Sequence, residues 1–343
     1  MPGLASDIST QVFNQARQLP PEVWKTLQNY PRPANVILPQ ALEARSQDVA
    51  ESLWIVCSTK SYIEFILSVT NGPMGAYPVF IVTTLPFELL TDEYIRPCIR
   101  SLVVALARAA HTSRVYSIFS VEPVARIFAD EWTGHTGIAL AENPIYYDAR
   151  ITYCTLRTLQ PPPINEAQGC IRRPAVRKDI EEIGELCYQF ASTSQPFTLD
   201  RDQARFEAAL LVEKKQVWVH EAKGTKEIAS IVAFTRNSDR VAAITKVYTS
   251  KKWTRQGYAE RLVRKVCEHW HWLEKIDNLA ISLLTGPNRK ESVVLYVADG
   301  NKAAIVYDRV GFVGLAEDGQ KVEGVDPWLE MGFDRRKVVL GHW

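Results

Sequence analysis

Three consecutive prolines, Pro161-Pro162-Pro163, set the first limit on how this chain can fold. Each removes a backbone donor and fixes φ, so the run can continue neither a helix nor an inner strand and favours extended polyproline structure. The segment TLQPPPINEAQG, residues 158–169, is therefore read as a linker between a domain over 1–157 and a second over 170–343. At 343 residues the chain exceeds the usual size of a single core, and each half is long enough to bury its own.

Charge narrows the functional classes. With 40 Lys+Arg against 39 Asp+Glu, the net charge of +1 gives no global attraction for nucleic acid or an anionic membrane, so any anion site must be local. The six cysteines, Cys57, Cys98, Cys154, Cys170, Cys187 and Cys267, form no CxxC pair and fit reduced thiols in an intracellular protein. The N-terminal MPGLASDISTQVFNQARQ has no apolar signal core, its Asp7 and single early Arg17 fit a transit peptide poorly, and no apolar run approaches about 18 residues. A cytoplasmic protein is expected, with nuclear entry left open and no nucleic-acid or membrane partner.

Periodicity orders the second half. CIRRPAVR reads as a short strand. DIEEIGELCYQFAS carries Ile180, Ile183, Leu186 and Phe190 at helical spacing, and DRDQARFEAALLVEKK follows as a helix with Asp200 as its cap. QVWVHEA, EIASIVAFTRN and RVAAITKVYTS read as an antiparallel meander, and AERLVRKVCEHWHWLEK as an amphipathic helix. SVVLYVAD is a β-branched strand, NKAAIVYDRV a helix and DPWLEMGFDRRKVVLGH a pair of closing strands; residues 276–290 read as a surface insertion. The class is α+β, a mixed, largely antiparallel sheet flanked by helices.

The first half follows the same order, which predicts a tandem arrangement. SLWIVCST stands where QVWVHEA does; Trp54 to Val82 spans 28 residues and Trp218 to Val247 spans 29. CIRSLVVALARAAH, RVYSIFSV and VEPVARIFADEWTGHTGI match the later helix, strand and helix. Two departures mark the first copy as degenerate: no glycine precedes its long helix, and Phe128 stands where the second copy has Tyr307.

The chemistry is sought in WTRQGYAERL, residues 253–262, where a strand turns through Gly257 into a helix. Unpaired N–H groups and the positive dipole end at a helix start, reached through a residue tolerant of positive φ, suit a phosphate. Forty-four residues beyond Gly257, at Asn301, begins NKAAIVYDRVGF. Together these resemble the GNAT superfamily of N-acetyltransferases: Thr254, Arg255, Gln256, Gly257, Tyr258 and Ala259 match its coenzyme-binding loop, and Asn301, Ala304, Tyr307, Gly311 and Phe312 its downstream motif. The loop departs from the family at Thr254, where Arg or Gln is usual, and Arg255 or Lys252 is expected to supply the charge instead. The resemblance covers roughly 170–335.

The resemblance implies acetyl-CoA as cosubstrate and direct attack of a primary amine on its thioester in a ternary complex. A backbone N–H at the end of the fourth strand, Val247 or Tyr248 with Thr249 beyond it, would face the developing oxyanion. Tyr307 would protonate the departing thiolate, its other reading being a core aromatic. Asn301 would contact the pantetheine arm, cap its helix, or do both. Glu221 and Glu330 are considered as bases, with surface solvation as the plainer reading. Arg261, Arg264 and Lys265 either meet the coenzyme's 3′-phosphate or form a solvated face. No metal is expected: His269 and His271, two apart, point to different helix faces. The acceptor, a small-molecule or peptide amine, would lie near 190–205 and 325–330, with the first domain a scaffold or lid. The alternative is a non-catalytic acyl-CoA sensor or scaffold.

Overall fold

The computed structural model describes residues 8–46, 52–163, 171–271, 290–316 and 321–343. The expected 276–290 insertion, apart from Lys290, lies outside the described residues, as do Cys170, Trp272 and linker residues 164–169.

Two compact units divide the chain, one made of 1–150 with 326–343, the other of 151–325. This differs from the expected division in two respects: the break falls at 150/151, so the segment read as a linker between domains belongs to the second unit, and the last strand of the sequence belongs to the first unit.

The first unit runs β1 (Ile8–Phe13), α1 (Pro21–Asn29), α2 (Leu38–Ser46), β2 (Leu53–Thr59), β3 (Tyr62–Val69), β4 (Val79–Thr83), α3 (Asp92–Ala109), β5 (Ser117–Val121), α4 (Glu122–Thr136) and β6 (Leu140–Cys154), whose final residues enter the second unit. In α3, Ile95, Cys98, Ile99, Leu102, Val103 and Leu106 are buried at helical spacing.

The second unit runs β7 (Arg172–Pro174), α5 (Ile180–Ala191), α6 (Arg201–Glu213), β8 (Val217–Glu221), β9 (Ile228–Ala233), β10 (Val241–Ile244), β11 (Lys246–Thr249), α7 (Tyr258–His271), β12 (Ser292–Ala298) and α8 (Ala303–Val310). Asp200 caps α6 as expected: its Oδ1 accepts from Gln203 N–H at 2.8 Å while Gln203 Oε1 accepts from Asp200 N–H at 3.0 Å. Each unit thus has a strand, two helices, a meander, a long helix, a strand and a helix, which bears out the tandem reading.

β13 (Pro327–Phe333) lies between β5 and β6, antiparallel to both, so the first sheet is ordered β1-β2-β3-β4-β5-β13-β6. A second closing strand does not form. After Phe333 the chain turns at Asp334, whose carboxylate accepts from Arg336 N–H at 3.1 Å, and docks through single bonds from Val339 N–H to Ser113 O and from His342 N–H to Ala76 O.

The proline-bearing segment is held against its own unit. Gln160 N–H donates to Val310 O at 2.9 Å, and the buried Arg264 guanidinium binds Gln160 O at 2.6 Å and Arg309 O at 3.1 Å. Gly311 ends α8 at φ +114°, and a Cβ there would lie 2.0 Å from Thr158 O. Gly311→Ala is therefore both strained and in collision with backbone. We expect its melting temperature to fall by at least about 5 °C, the equivalent of roughly 2 kcal/mol in a unit of this size. A scan indistinguishable from wild type would show that the segment yields freely.

Glu330 on β13 is 1% exposed, accepts hydrogen bonds from Ser117 Oγ at 2.7 Å and Trp343 Nε1 at 3.0 Å, and is pushed up by burial to about 8 from an ordinary 4.5. Between those values the unfolded chain loses the proton first, so this group's contribution to stability is full below about pH 4.5 and is lost as pH rises toward 8. The loss is on the order of 5 kcal/mol. Glu330→Gln should flatten the fall in melting temperature between pH 5 and 8; an unchanged slope would mean that the carboxyl does not titrate there.

Candidate functional site

The second unit's sheet parts at its fourth strand. Over β10 that strand runs parallel to β12, with Val241 opposite Ser292 through Ile244 opposite Leu295. Beyond Thr245 it leaves β12 and continues as β11, paired only with β9 and forming the edge of its sheet. The break is a bulge: Thr245 N–H donates to Ala233 O at 2.9 Å, although the register already pairs Ala233 with Lys246. Tyr296, Val297 and Ala298 of β12 run on without that neighbour.

Alternation then fixes the direction of each N–H along β11. Ser250 N–H donates to Ala229 O at 2.9 Å. Antiparallel N–H groups face alternate sides, so that of Tyr248 turns to β9, while those of Val247 and Thr249 turn to the unpaired side. Of the two donors weighed from sequence, Val247 is the one facing the gap.

The Tyr248 side chain occupies another face. Its hydroxyl is 3.3 Å from Gln189 Oε1, its ring stands edge-on to Phe190 at 6.2 Å, and burial, with Glu185 nearby, raises its pKa. Lys246 shares that face, ion-paired with Glu207 at 2.5 Å and lying 5.1 Å from the Phe190 ring. Burial lowers the Lys246 pKa, but the Glu207 carboxylate outweighs it and holds the ammonium charged. This buried pair was missed in the sequence; its only signal is a lysine inside the otherwise apolar ITKVYT.

Past β11 the chain makes a short turn, Lys251–Trp253, closed by Thr254 Oγ1 on Lys251 O at 3.2 Å. Arg255 and Gly257 then both take positive φ, +62° and +73°. The first is strained for a non-glycine residue and the second is the case glycine is suited to. The first intrahelical bond of α7 runs from Arg261 N–H to Gly257 O at 3.1 Å, so the N–H groups of Tyr258, Ala259 and Glu260 lie ahead of the helical ladder. Thr254, Arg255, Gln256 and Gly257 are all exposed.

The Tyr258 ring is buried against His220, 4.7 Å away, and its hydroxyl accepts from Lys223 N–H at 3.2 Å, so its side chain anchors the loop from behind. Lys252 is ion-paired with Glu227 at 2.7 Å, which leaves Arg255 as the expected substitute charge. Arg261 is a second: its guanidinium folds back to Gln256 O at 2.7 Å.

The expected 3′-phosphate set does not hold together. Arg264 is 3% exposed and engaged by Gln160 O, Arg309 O and Glu260, while Lys265 pairs with Glu268 at 3.3 Å. Glu221 is bound to Arg173 at 2.7 Å, and Glu330 is buried in the first unit, so neither stands as an unengaged base. His269 packs 5.0 Å from Trp218, and burial lowers its pKa; the His271 side chain lies outside the described residues.

Ahead of α8, whose cap position is Lys302, Asn301 Oδ1 accepts from the N–H of Ala303, the first residue of that helix, at 2.9 Å, while its Nδ2 has no partner among the described residues. Tyr307 is 8% exposed, packs edge-on to Phe312 at 5.8 Å, and shares one apolar cluster with Val297 of β12 and Val247 of β11. Its hydroxyl has no hydrogen bond among the described residues, and burial pushes its pKa well up, so it remains a proton donor at neutral pH.

The first unit lacks the bulge, the positive-φ turn and the tyrosine. Its fourth strand stays in register with β3 over Phe80–Thr83 while pairing with β5 only at Val79 and Phe80, and Ser120 Oγ donates to Ile81 O at 2.7 Å just where that parallel pairing ends. No residue in the turn ahead of α3 has positive φ, and Asp92 and Glu93 occupy that helix's first turn. Phe128 stacks on Trp132 at 5.9 Å, with no hydroxyl to offer.

Residues 213–314 match the acetyltransferase (GNAT) domain family. No curated protein sequence matches the chain. Among solved structures, a Drosophila protein shares the fold with a TM-score of 0.55 at 9% identity, over 90% of this chain and 94% of that one. A GCN5-related N-acetyltransferase from Sphaerobacter thermophilus gives 0.48 at 13% identity over 96% of both chains, and a tandem GNAT protein from the clavulanic acid biosynthesis pathway 0.43 at 12% over 95% and 98%. A parted fourth strand, a glycine turn into α7 and the Asn301 to Phe312 motif all fall inside the matched span, and the second unit therefore carries a domain of the GNAT acetyltransferase family.

Proposed function

We propose that the chain is an N-acetyltransferase that moves an acetyl group from acetyl-CoA to a primary amine by direct attack within a ternary complex. One observation carries the reading. The Val247 N–H faces the gap where β11 leaves β12, with the α7 turn following on the same strand and Tyr307 packed in the same cluster as Val247.

The residues fit such a ligand. The α7 turn offers exposed N–H groups, positive φ at Arg255 and Gly257, and two arginines, while the Glu260 carboxylate is already paired with Arg264 at 3.1 Å. A pyrophosphate there meets donors and positive charge. Acetyl-CoA supplies the activated thioester; the protein's part is to hold it and to direct charge. The Val247 N–H would stabilise the oxyanion as the amine attacks, Asn301 Nδ2 would steady the pantetheine arm, and Tyr307 would pass its proton to the thiolate. Ala259 and Thr249 contribute backbone donors, and Thr254 shapes the turn. The acceptor, a small-molecule or peptide amine, would approach from the Phe190 and Tyr248 face.

Thiol release measured over an amine panel tests this. Tyr307→Phe should lower kcat by about 100-fold while leaving the dissociation constant for acetyl-CoA within about twofold. A fall smaller than about threefold would make Tyr307 a packing residue. Stabilisation of the wild type by acetyl-CoA without thiol release to any amine would favour a sensor.

A further inference from the structure

A second concave site belongs to the first unit alone. Between β1 and β2 the chain forms a cup of about 300 Å³, at the lower end of small-molecule pockets. The buried Leu19 and the start of α1 at Pro21 form part of its lining, with Arg17, Trp24, Lys25 and Arg45 around them. Three of these side chains are cations, and no carboxylate is among the lining residues.

Arg17, Lys25 and Arg45 are exposed around the cup, while Leu19 is buried. Like charges converging on one concavity repel, and that cost is offset when an anion enters. Several contacts order the cup. Trp24 Nε1 donates to Leu19 O at 3.1 Å, the Arg45 guanidinium lies 5.0 Å from the Trp24 ring centre, and Arg17 Nε donates to Gln15 Oε1 at 2.7 Å. Lys25 has no ion pair among the described residues. The nine-residue α1 begins at Pro21, where Glu22 in its first turn offsets the positive end of the helix dipole, so the charge of the cup comes from its side chains.

We propose that this cup binds the phosphoryl group of a small phosphate ester or of a phosphorylated lipid headgroup. Two guanidinium groups and an ammonium around one cavity suit a multiply charged tetrahedral anion, whose several oxygens can take separate donors, better than a single carboxylate.

Titration calorimetry with inorganic pyrophosphate tests the site. To keep the probe from the α7 turn, the full chain is used in two backgrounds: Gly257→Val, and wild type saturated with coenzyme A. One site is expected in both, weakening as salt is added, and the double variant Lys25→Gln/Arg45→Gln should raise its dissociation constant at least about tenfold. A parallel arm measures cosedimentation with phosphatidylcholine vesicles containing phosphatidylinositol 4-phosphate. Charge-dependent binding to these vesicles but not to pyrophosphate would assign the phosphoryl group to a lipid. Absence of binding in both arms, or binding that the double variant leaves unchanged, would overturn the proposal.

Discussion

The bulge at Thr245 is the feature on which the rest of the second unit depends. A strand with two neighbours spends every N–H on ladder bonds and has none to offer a substrate. By giving Ala233 O two donors, from Thr245 and the Lys246 register position, the strand changes partners, and from Val247 onward alternate N–H groups face no strand. The same change of direction delivers the chain to the turn at Arg255 and Gly257, and so sets the start of α7. A gap, its donor and the helix terminus beyond it thus follow from one irregularity in a short strand.

The first unit shows what the architecture becomes without it. The equivalent strand stays in register with β3 without a bulge, Ser120 bridges to Ile81 O where its pairing with β5 ends, and acidic residues hold the first turn of the following helix. An aromatic cluster of Phe80, Phe119 and Trp343, with ring separations of 4.8 to 6.2 Å, lies beside Glu330, and β13 completes the sheet. The unit has neither a positive-φ turn ahead of its long helix nor a hydroxyl at Phe128.

Much of this was legible in the sequence because local signals carry it. Helical spacing in α3, α5 and α7 and the Asp200 cap appear where the pattern places them, while the third strand of the meander, read as one over RVAAITKVYTS, divides into β10, parallel to β12, and β11, antiparallel to β9. The glycine turn and the Asn301 and Tyr307 motif were legible for the same reason. What escaped is non-local. Insertion of β13 between β5 and β6 depends on partners about 180 to 210 residues away in the chain, which periodicity does not encode. Arg264 looks like a surface cation on an amphipathic helix, yet it is buried by carbonyls of two segments distant in sequence. Glu221 and Lys252 looked available until their partners, Arg173 and Glu227, were brought to them by the fold.

The central claim is that only one of the two like units retains a coenzyme site. The stoichiometry of acetyl-CoA binding, measured by calorimetry on the full chain, tests it most directly. We expect one molecule per chain, reduced to none by Gly257→Val, whose side chain would be strained at φ +73° and would meet the Arg261 guanidinium. Two molecules per chain, or one that persists in the Gly257 variant, would contradict the assignment of the site to the parted strand and the turn that follows it.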